Sequence, residues 1–484
     1  MERQVTNRRF LTMIAAVTIW SALLTGAGAA AQPHTAGSGW GTAQPVPGLA
    51  ALNTGHDVNV NLMSCPSAGN CGAAGFYSTS SAEQGFVVSE TNGTWGKAEE
   101  IPGIAALDQG QDSGISGLSC ASPGNCTAVG DYVGLPGVEA FIADETNGTW
   151  GKAEEVPGTA ALNLGENATT NSVSCASAGN CSAGGSYEDG SFHDQAFVVD
   201  ETNGTWGTAQ EVPGTGALNV GGDAEIDSVS CASAGNCSAA GRYGNVPHAI
   251  RQQVFVVSET NGTWGTAQKL PGAAKLDNGR SAGFAALSCA SVGNCSAGGF
   301  YSTSRGQQAF VVGETNGTWG TAREVPGIAA LNKGNQAFIN SVSCGAAGDC
   351  SAGGLYRDSP TIRTFQAFVV TEKNGIWGKA EQVPGIAALN KGGSASINSV
   401  SCGAAGNCSA GGSYRDTAST FQAFVVDETN GTWGKAEAVP GTAALNKGGI
   451  AGTGSVSCAS AGHCSAGGWY TTGPGQQGFV AGRT

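Results

Sequence analysis

All sixteen cysteines of this 484-residue chain fall into eight C-x5-C pairs, from Cys65/Cys71 to Cys458/Cys464. No other feature limits the fold as much, because a motif at fixed period makes the chain one module copied eight times. A second marker keeps step with the first. Trp40, Trp95, Trp150, Trp206, Trp264, Trp319, Trp377 and Trp433 each precede the next cysteine by 25 residues, while the return spacing varies from 24 to 27. Insertions are therefore confined to one place in the module. The mean period of about 56 residues suits four strands with their loops rather than a helical or leucine-rich repeat.

The N-terminus reads as an export signal. Arg3, Arg8 and Arg9 precede an apolar run from Phe10 to Leu24, and small residues end at Ala29-Ala30-Ala31 before Gln32. Cleavage is expected near Ala31, by the general secretory or the twin-arginine route, with residues 32–39 as a short linker and 40–484 as the repeat array. Removing residues 1–31 moves the formal net charge from −14 to −16. That acidity argues against nucleic acid or an anionic membrane as partner. Glycine is abundant, at 79 residues, and charged residues make up 12%, which suits many tight turns between short strands.

In an exported chain, evenly spaced cysteines read as disulfides. Residues opposite one another in a non-hydrogen-bonded antiparallel pair lie about 4.5 Å apart at Cα, within bridging range. The expected pairing is local, one bridge per hairpin: Cys65–Cys71, Cys120–Cys126, Cys175–Cys181, Cys231–Cys237, Cys289–Cys295, Cys344–Cys350, Cys402–Cys408 and Cys458–Cys464. A metal site would need two further soft ligands per unit, and five histidines at unrelated positions do not supply them. No metal and no cofactor is expected.

The third unit serves as specimen. Residues 172–175 read as a first strand, 176–180 as its turn, 181–187 as a second strand, 188–194 as a polar loop and 195–201 as a third strand. Asn203-Gly204 marks a tight hairpin, and 206–213 is the fourth strand. No sustained helical period is present. The third strand is continuously apolar, as where sheets stack on both faces; the fourth carries charge, as an outer edge strand does. The array opens on a fourth strand at Trp40 and stops on a third at Phe479-Val-Ala-Gly-Arg-Thr484. If the N-terminal strand completes the last blade, the chain closes as an all-β, eight-bladed β-propeller of four-stranded repeats. A β-solenoid or two smaller propellers are the alternatives. In the propeller the cysteine and Asn-Gly turns share one face, and the variable loop between strands 2 and 3 shares the other with the strand 4 to strand 1 link, so a binding site is expected on that second face.

Ser89-Glu-Thr-Asn-Gly-Thr-Trp95 and its copies resemble the Asp-box hairpins of sialidase-like propellers, S-x-D-x-G-x-T-W, though the turn is one residue shorter and Asn92 stands near the Asp position. The whole of residues 40–484 also resembles secreted actinobacterial propeller-like repeat proteins with cysteine hairpins. Both resemblances imply a fold and no settled activity. A sialidase-type site needs an arginine cluster, and after the signal no arginine precedes Arg242. Motifs of the H-E-x-x-H, G-x-S-x-G and Walker types are absent from the sequence.

All eight tyrosines, Tyr77, Tyr132, Tyr187, Tyr243, Tyr301, Tyr356, Tyr414 and Tyr470, lie six residues after the second cysteine of their unit. Two readings are open: a ring of aromatic platforms for sugars, or caps on the core whose hydroxyls reach water. The repeated tryptophans read as packing between blades. Leu-Asn/Asp-x-Gly recurs at Asn53, Asp108, Asn163, Asn219, Asp277, Asn332, Asn390 and Asn446. Six of these are neutral, which suits an Asx-turn better than calcium. Unrepeated chemistry sits in the variable loops: Glu188, Asp189, His193 and Asp194; His248 and Arg251; Arg357, Asp358 and Arg363; Arg415 and Asp416. Together these features predict a secreted, monomeric binding or scaffold protein for carbohydrate or a surface polymer, acting through repeated weak sites. A glycan-active hydrolase or lyase of the propeller type and a structural envelope protein are the alternatives.

Overall fold

The computed structural model describes residues 39–246, 251–417, 420–473 and 475–483. The expected signal peptide, most of the linker and His248 lie outside the described residues. The described chain is an eight-bladed β-propeller. In blade 3 the strands are Ala168–Ser177, Asn180–Glu188 and Asp194–Thr202, followed by two short pieces, Thr205–Trp206 and Gln210–Glu211. The other blades repeat this antiparallel order. Their first strands begin at Val58, Ser113, Ala224, Ala282, Ala337, Ala395 and Ala451.

Three local expectations change. The fourth strand is not continuous over 206–213; it breaks at Gly207, whose N–H bonds the Asp200 carbonyl at 2.8 Å. The cysteine hairpin is tighter than a five-residue turn: Ser177 pairs with Asn180, and only Ala178 and Gly179 turn, with Gly179 at φ +72°. The strand 4 to strand 1 link contains a single helical turn, Thr159–Leu162 before blade 3, too short to show a helical period in sequence. The Asn-Gly turn is as expected, with Asn203 at φ 51° and Gly204 at φ 77°, the two positive values of a type I′ hairpin. Gly204 N–H donates to the Gly179 carbonyl at 2.9 Å, which joins the two turns of that face within one blade.

All eight local disulfides are present, with Cα–Cα separations of 3.9 to 4.0 Å. Each blade buries a strand 3 phenylalanine at 0 to 1% exposure, Phe197 in blade 3. These rings lie at the centre of eight similar apolar layers between sheets. Truncating one of them to alanine costs about 3 to 5 kcal/mol.

First strands of neighbouring blades touch around the axis, and a hydrogen bond with side-chain specificity joins each pair. Cys175 N–H donates to Ser119 Oγ of the preceding blade at 2.9 Å, and Cys231 N–H to Ser174 Oγ at 2.9 Å. The ring closes through the N-terminal strand Gln44–Pro45, which pairs antiparallel with Val480 and Phe479 of blade 8. Asp427 of blade 7 holds both ends of this joint. Trp40 Nε1 donates to it at 3.2 Å, and Arg483 Nε lies 3.2 Å from its Oδ2.

Candidate functional site

The eight tyrosines cap the core. Their exposures run from 3 to 7%, so no ring presents a free face for stacking on a pyranose. Tyr243, Tyr356 and Tyr414 lie 6.3 to 6.4 Å from the strand 3 phenylalanine of their own blade. The Tyr77 hydroxyl donates to Glu100 Oε2 at 2.8 Å and the Tyr301 hydroxyl to Glu324 Oε2 at 2.6 Å. Burial first, then the nearby carboxylates, push the phenols up, to about 12 at Tyr132 and Tyr187.

The link residues are also structural brackets. Asn219 Nδ2 donates to the Asp194 carbonyl at 2.8 Å, and its Oδ1 accepts Asp223 N–H at 2.7 Å, which ties blade 3 to blade 4. Asp108 and Asp277 instead form the short Asx-turn, accepting Gly110 N–H at 2.8 Å and Gly279 N–H at 2.7 Å. Among the described residues no cluster of histidine, cysteine and carboxylate side chains is arranged to hold a metal ion.

Many of the loop charges turn inward to order their own loops. Asp189 accepts Ser191 N–H at 2.7 Å, His193 N–H at 3.1 Å and Gln195 Nε2 at 3.0 Å. Burial raises its pKa, but these donors outweigh burial and hold it below the usual carboxylate value. Asp358 and Asp416 make the same clasp, to Gln366 Nε2 at 3.1 Å and Gln422 Nε2 at 3.4 Å. Arg357 donates to the carbonyls of Ile362 and Pro360 at 3.2 and 3.3 Å, and Arg415 lies 6.0 Å from the Phe421 ring centroid. Asp194 sits within strand 3 of blade 3, bridged to Asp223. Arg251 is exposed. The predicted residues are thus spread over the loops of blades 3, 4, 6 and 7, and the largest group in one blade is Glu188, Asp189, His193 and Asp194.

That blade adds what sequence reading missed. Phe192, at the tip of the same loop, is 70% exposed with φ 61°, a left-handed value a large side chain rarely adopts. Leu164, 67% exposed, lies beside the loop; its Cδ1 is 3.5 Å from the point a side chain on Gly190 would occupy. On the other side, the His193 ring abuts Gly222 of the next link, which carries Val220 at 60% exposure. Leu135 in the blade 2 loop is 76% exposed. Exposed apolar side chains therefore stand on the loops and links of blades 2 to 4, beside the carboxylates and imidazole of the blade 3 loop. Scattered single apolar residues carry no periodic signal, and this is why they were not legible in sequence.

A second set of unanticipated groups lies in the seams between blades, on the cysteine-turn side. A glutamate near the end of strand 3 in one blade reaches back to the preceding blade. Ser89 Oγ donates to Glu145 Oε1 at 2.7 Å, and Thr371 Oγ1 to Glu428 Oε1 at 2.6 Å. In two seams the residue met is itself an acid: Glu201 faces Asp144 and Glu259 faces Asp200. Burial, and secondarily the facing aspartate, pushes both glutamates up to about 7. The tryptophans join the same seams, as sequence packing suggested; Trp206 Nε1 donates to Asp144 Oδ2 at 3.0 Å and Trp264 Nε1 to Asp200 Oδ2 at 2.9 Å.

No family model matches the chain, and no curated protein matches it. Solved structures with a similar fold include a Dos1 propeller, 12% identical with a TM-score of 0.49, over 90% of this chain and 95% of that one. A GH74 xyloglucanase from Xanthomonas campestris is 12% identical with a TM-score of 0.40, over 89% and 67% of the two chains. Trypanosoma rangeli sialidase in complex with sialic acid is 9% identical with a TM-score of 0.40, and 54% of its length is covered against 88% of this chain. At these values the likeness carries no argument about this chain's chemistry.

Proposed function

We propose that this chain is an extracellular binding or scaffold module that meets carbohydrate or another cell-surface polymer through the face formed by the strand 2–3 loops. The observation that supports this reading is Phe192, an aromatic ring 70% exposed in the loop that also carries Glu188, Asp189 and His193. An exposed ring with polar neighbours offers stacking area and hydrogen-bonding groups to a sugar face. Leu135, Leu164 and Val220 extend the contact. The surface is one composite patch rather than eight equal sites, because the repeated tyrosines are buried. Eight disulfides favour an oxidising compartment. Among the described residues no helix is long and apolar enough to cross a membrane.

The test is a glycan and cell-wall polysaccharide array with the oxidised protein and its Phe192→Ala variant. Loss of the aromatic contact is expected to weaken binding several-fold, in line with the ~0.5–1.5 kcal/mol of an aromatic contact. Absence of binding to every glycan turns the reading to protein partners.

One observation favours the hydrolase alternative. Burial and the Asp189 charge raise the Glu188 pKa, while Asp189 is lowered, and carboxyls pushed apart in pKa suit acid and base roles. Turnover of any bound glycan, lost in Glu188→Gln, establishes that reading over simple binding.

A further inference from the structure

In each seam the residue before the strand 3 glutamate, or before Arg483 in blade 8, faces the following blade, and its chemistry differs from seam to seam. Between blades 6 and 7 it is Thr371, whose hydroxyl accepts Trp433 Nε1–H at 3.1 Å and donates to Glu428 Oε1 at 2.6 Å. One hydroxyl thus satisfies a buried donor and a buried acceptor at once. Between blades 5 and 6 the same position is Gly313, and the hydroxyl is missing. A side chain starting there would meet Glu372 Oε1 at 3.6 Å and Ser296 Oγ at 3.8 Å. Glu372 is 3% exposed, and its other oxygen accepts Ser296 Oγ–H at 2.7 Å. Trp377, which corresponds to Trp433, is 4% exposed and its Nε1–H is buried with no hydrogen-bond partner, as are those of Trp150 and Trp319, where the serine hydroxyl at this position turns to the glutamate instead. The gap opens into a crevice of about 450 Å³ lined by Asn294, Thr315, Thr321, Arg323, Glu372 and Asn374 among others.

We propose that this crevice between blades 5 and 6 is a binding site for a small polyhydroxylated ligand, a monosaccharide unit or cyclic polyol, one of whose hydroxyls takes the place of the absent threonine hydroxyl. That hydroxyl accepts from Trp377 Nε1–H, a donor whose unpaired burial is costly, and donates to Glu372 Oε1. Arg323, Asn294 and Asn374 supply donors for the remaining oxygens, and the volume falls in the range of small-molecule sites. The seam between blades 8 and 1 also has a glycine, Gly482, but no atom lies within 4 Å of a side chain added there, so it forms no comparable niche. The site lies on the opposite face from Phe192 and stands independently of the loop-face reading.

Binding of D-glucose, N-acetylglucosamine and myo-inositol to the oxidised full chain, followed by ligand-observed NMR and calorimetry, tests the proposal. At least one of them is expected to bind at one site per chain. Gly313→Thr, whose Cβ meets its neighbours at ordinary contact distances, is expected to weaken that binding at least tenfold without lowering the melting temperature. Trp377→Phe, which removes the N–H and keeps a ring, is expected to weaken it several-fold, while Phe192→Ala leaves it unchanged. No binding by any of the three, unchanged binding in Gly313→Thr, or a crystal soaked with them that shows an ordered water only in the crevice, overturns the proposal.

Discussion

Cys65 of blade 1 donates its backbone N–H to Ser457 Oγ of blade 8 at 2.9 Å. The same bond, from the cysteine of one blade to the serine that precedes the cysteine of the blade before, recurs at all eight seams. The seam that joins the ends of the array is therefore built like those inside it. Replacing the serine leaves a partly buried N–H unpaired, at about 1 kcal/mol. Ser457→Ala and Ser174→Ala are expected to destabilise equally in urea unfolding. An unchanged midpoint for Ser457→Ala alone would mean an open ring.

The facing acids make stability depend on pH. Glu201 and Glu259 have pKa values raised from 4.5 to about 7, so the folded state binds their protons more tightly than the unfolded state does. Their stabilising contribution is complete below about 4.5 and is lost as pH rises through 7. The melting temperature is expected to be higher at pH 5 than at pH 8. In the Glu201→Gln/Glu259→Gln double variant, which keeps the amides neutral at both values, the difference is expected to shrink. An equal pH dependence in the variant would place its origin elsewhere.

The tyrosine hydroxyls serve stability. Tyr77→Phe removes the bond to Glu100 Oε2 and is expected to cost roughly 1 to 2 kcal/mol, the range for a hydrogen bond to a charged group at a partly screened site. Binding of any polymer to the loop face is expected to be unchanged. A variant that keeps its stability and loses binding would restore the tyrosine ring as a contact surface.

Each disulfide closes a loop of six-residue separation, for which the chain-entropy model gives about 2 kcal/mol. The Cys175→Ala/Cys181→Ala pair is expected to lower stability by that order and leave the fold intact, read as a shifted but still single unfolding transition. Reduction of all eight is expected to lower the melting temperature far more. A silent double variant would show that the Asn203-Gly204 turn and the Ser119 bond hold the hairpin alone.

The repeat, the strand order, the local disulfides and the closure by the N-terminal strand were all legible in the chain, because each of these is written in spacing. Cysteine to cysteine, tryptophan to cysteine, and a missing strand at one end matched by a spare one at the other are relations along the chain. The serine before the first cysteine recurs in all eight units and the glutamate after the apolar strand in seven, yet their partners lie roughly 56 or more residues away in a neighbouring blade. Only the tertiary structure brings them together. It also decided the fate of the tyrosines, since a position at the end of strand 2 is compatible with a free ring or a buried one until the neighbouring sheet is packed on it. The same packing made Asp189, Asp358 and Asp416 clasps for their own loops, left Phe192 exposed, and turned the single glycine at 313 into an unfilled niche beside Glu372. A break in a repeat is visible in sequence, but what it leaves unpaired is set by groups from two blades that meet only when the ring has closed.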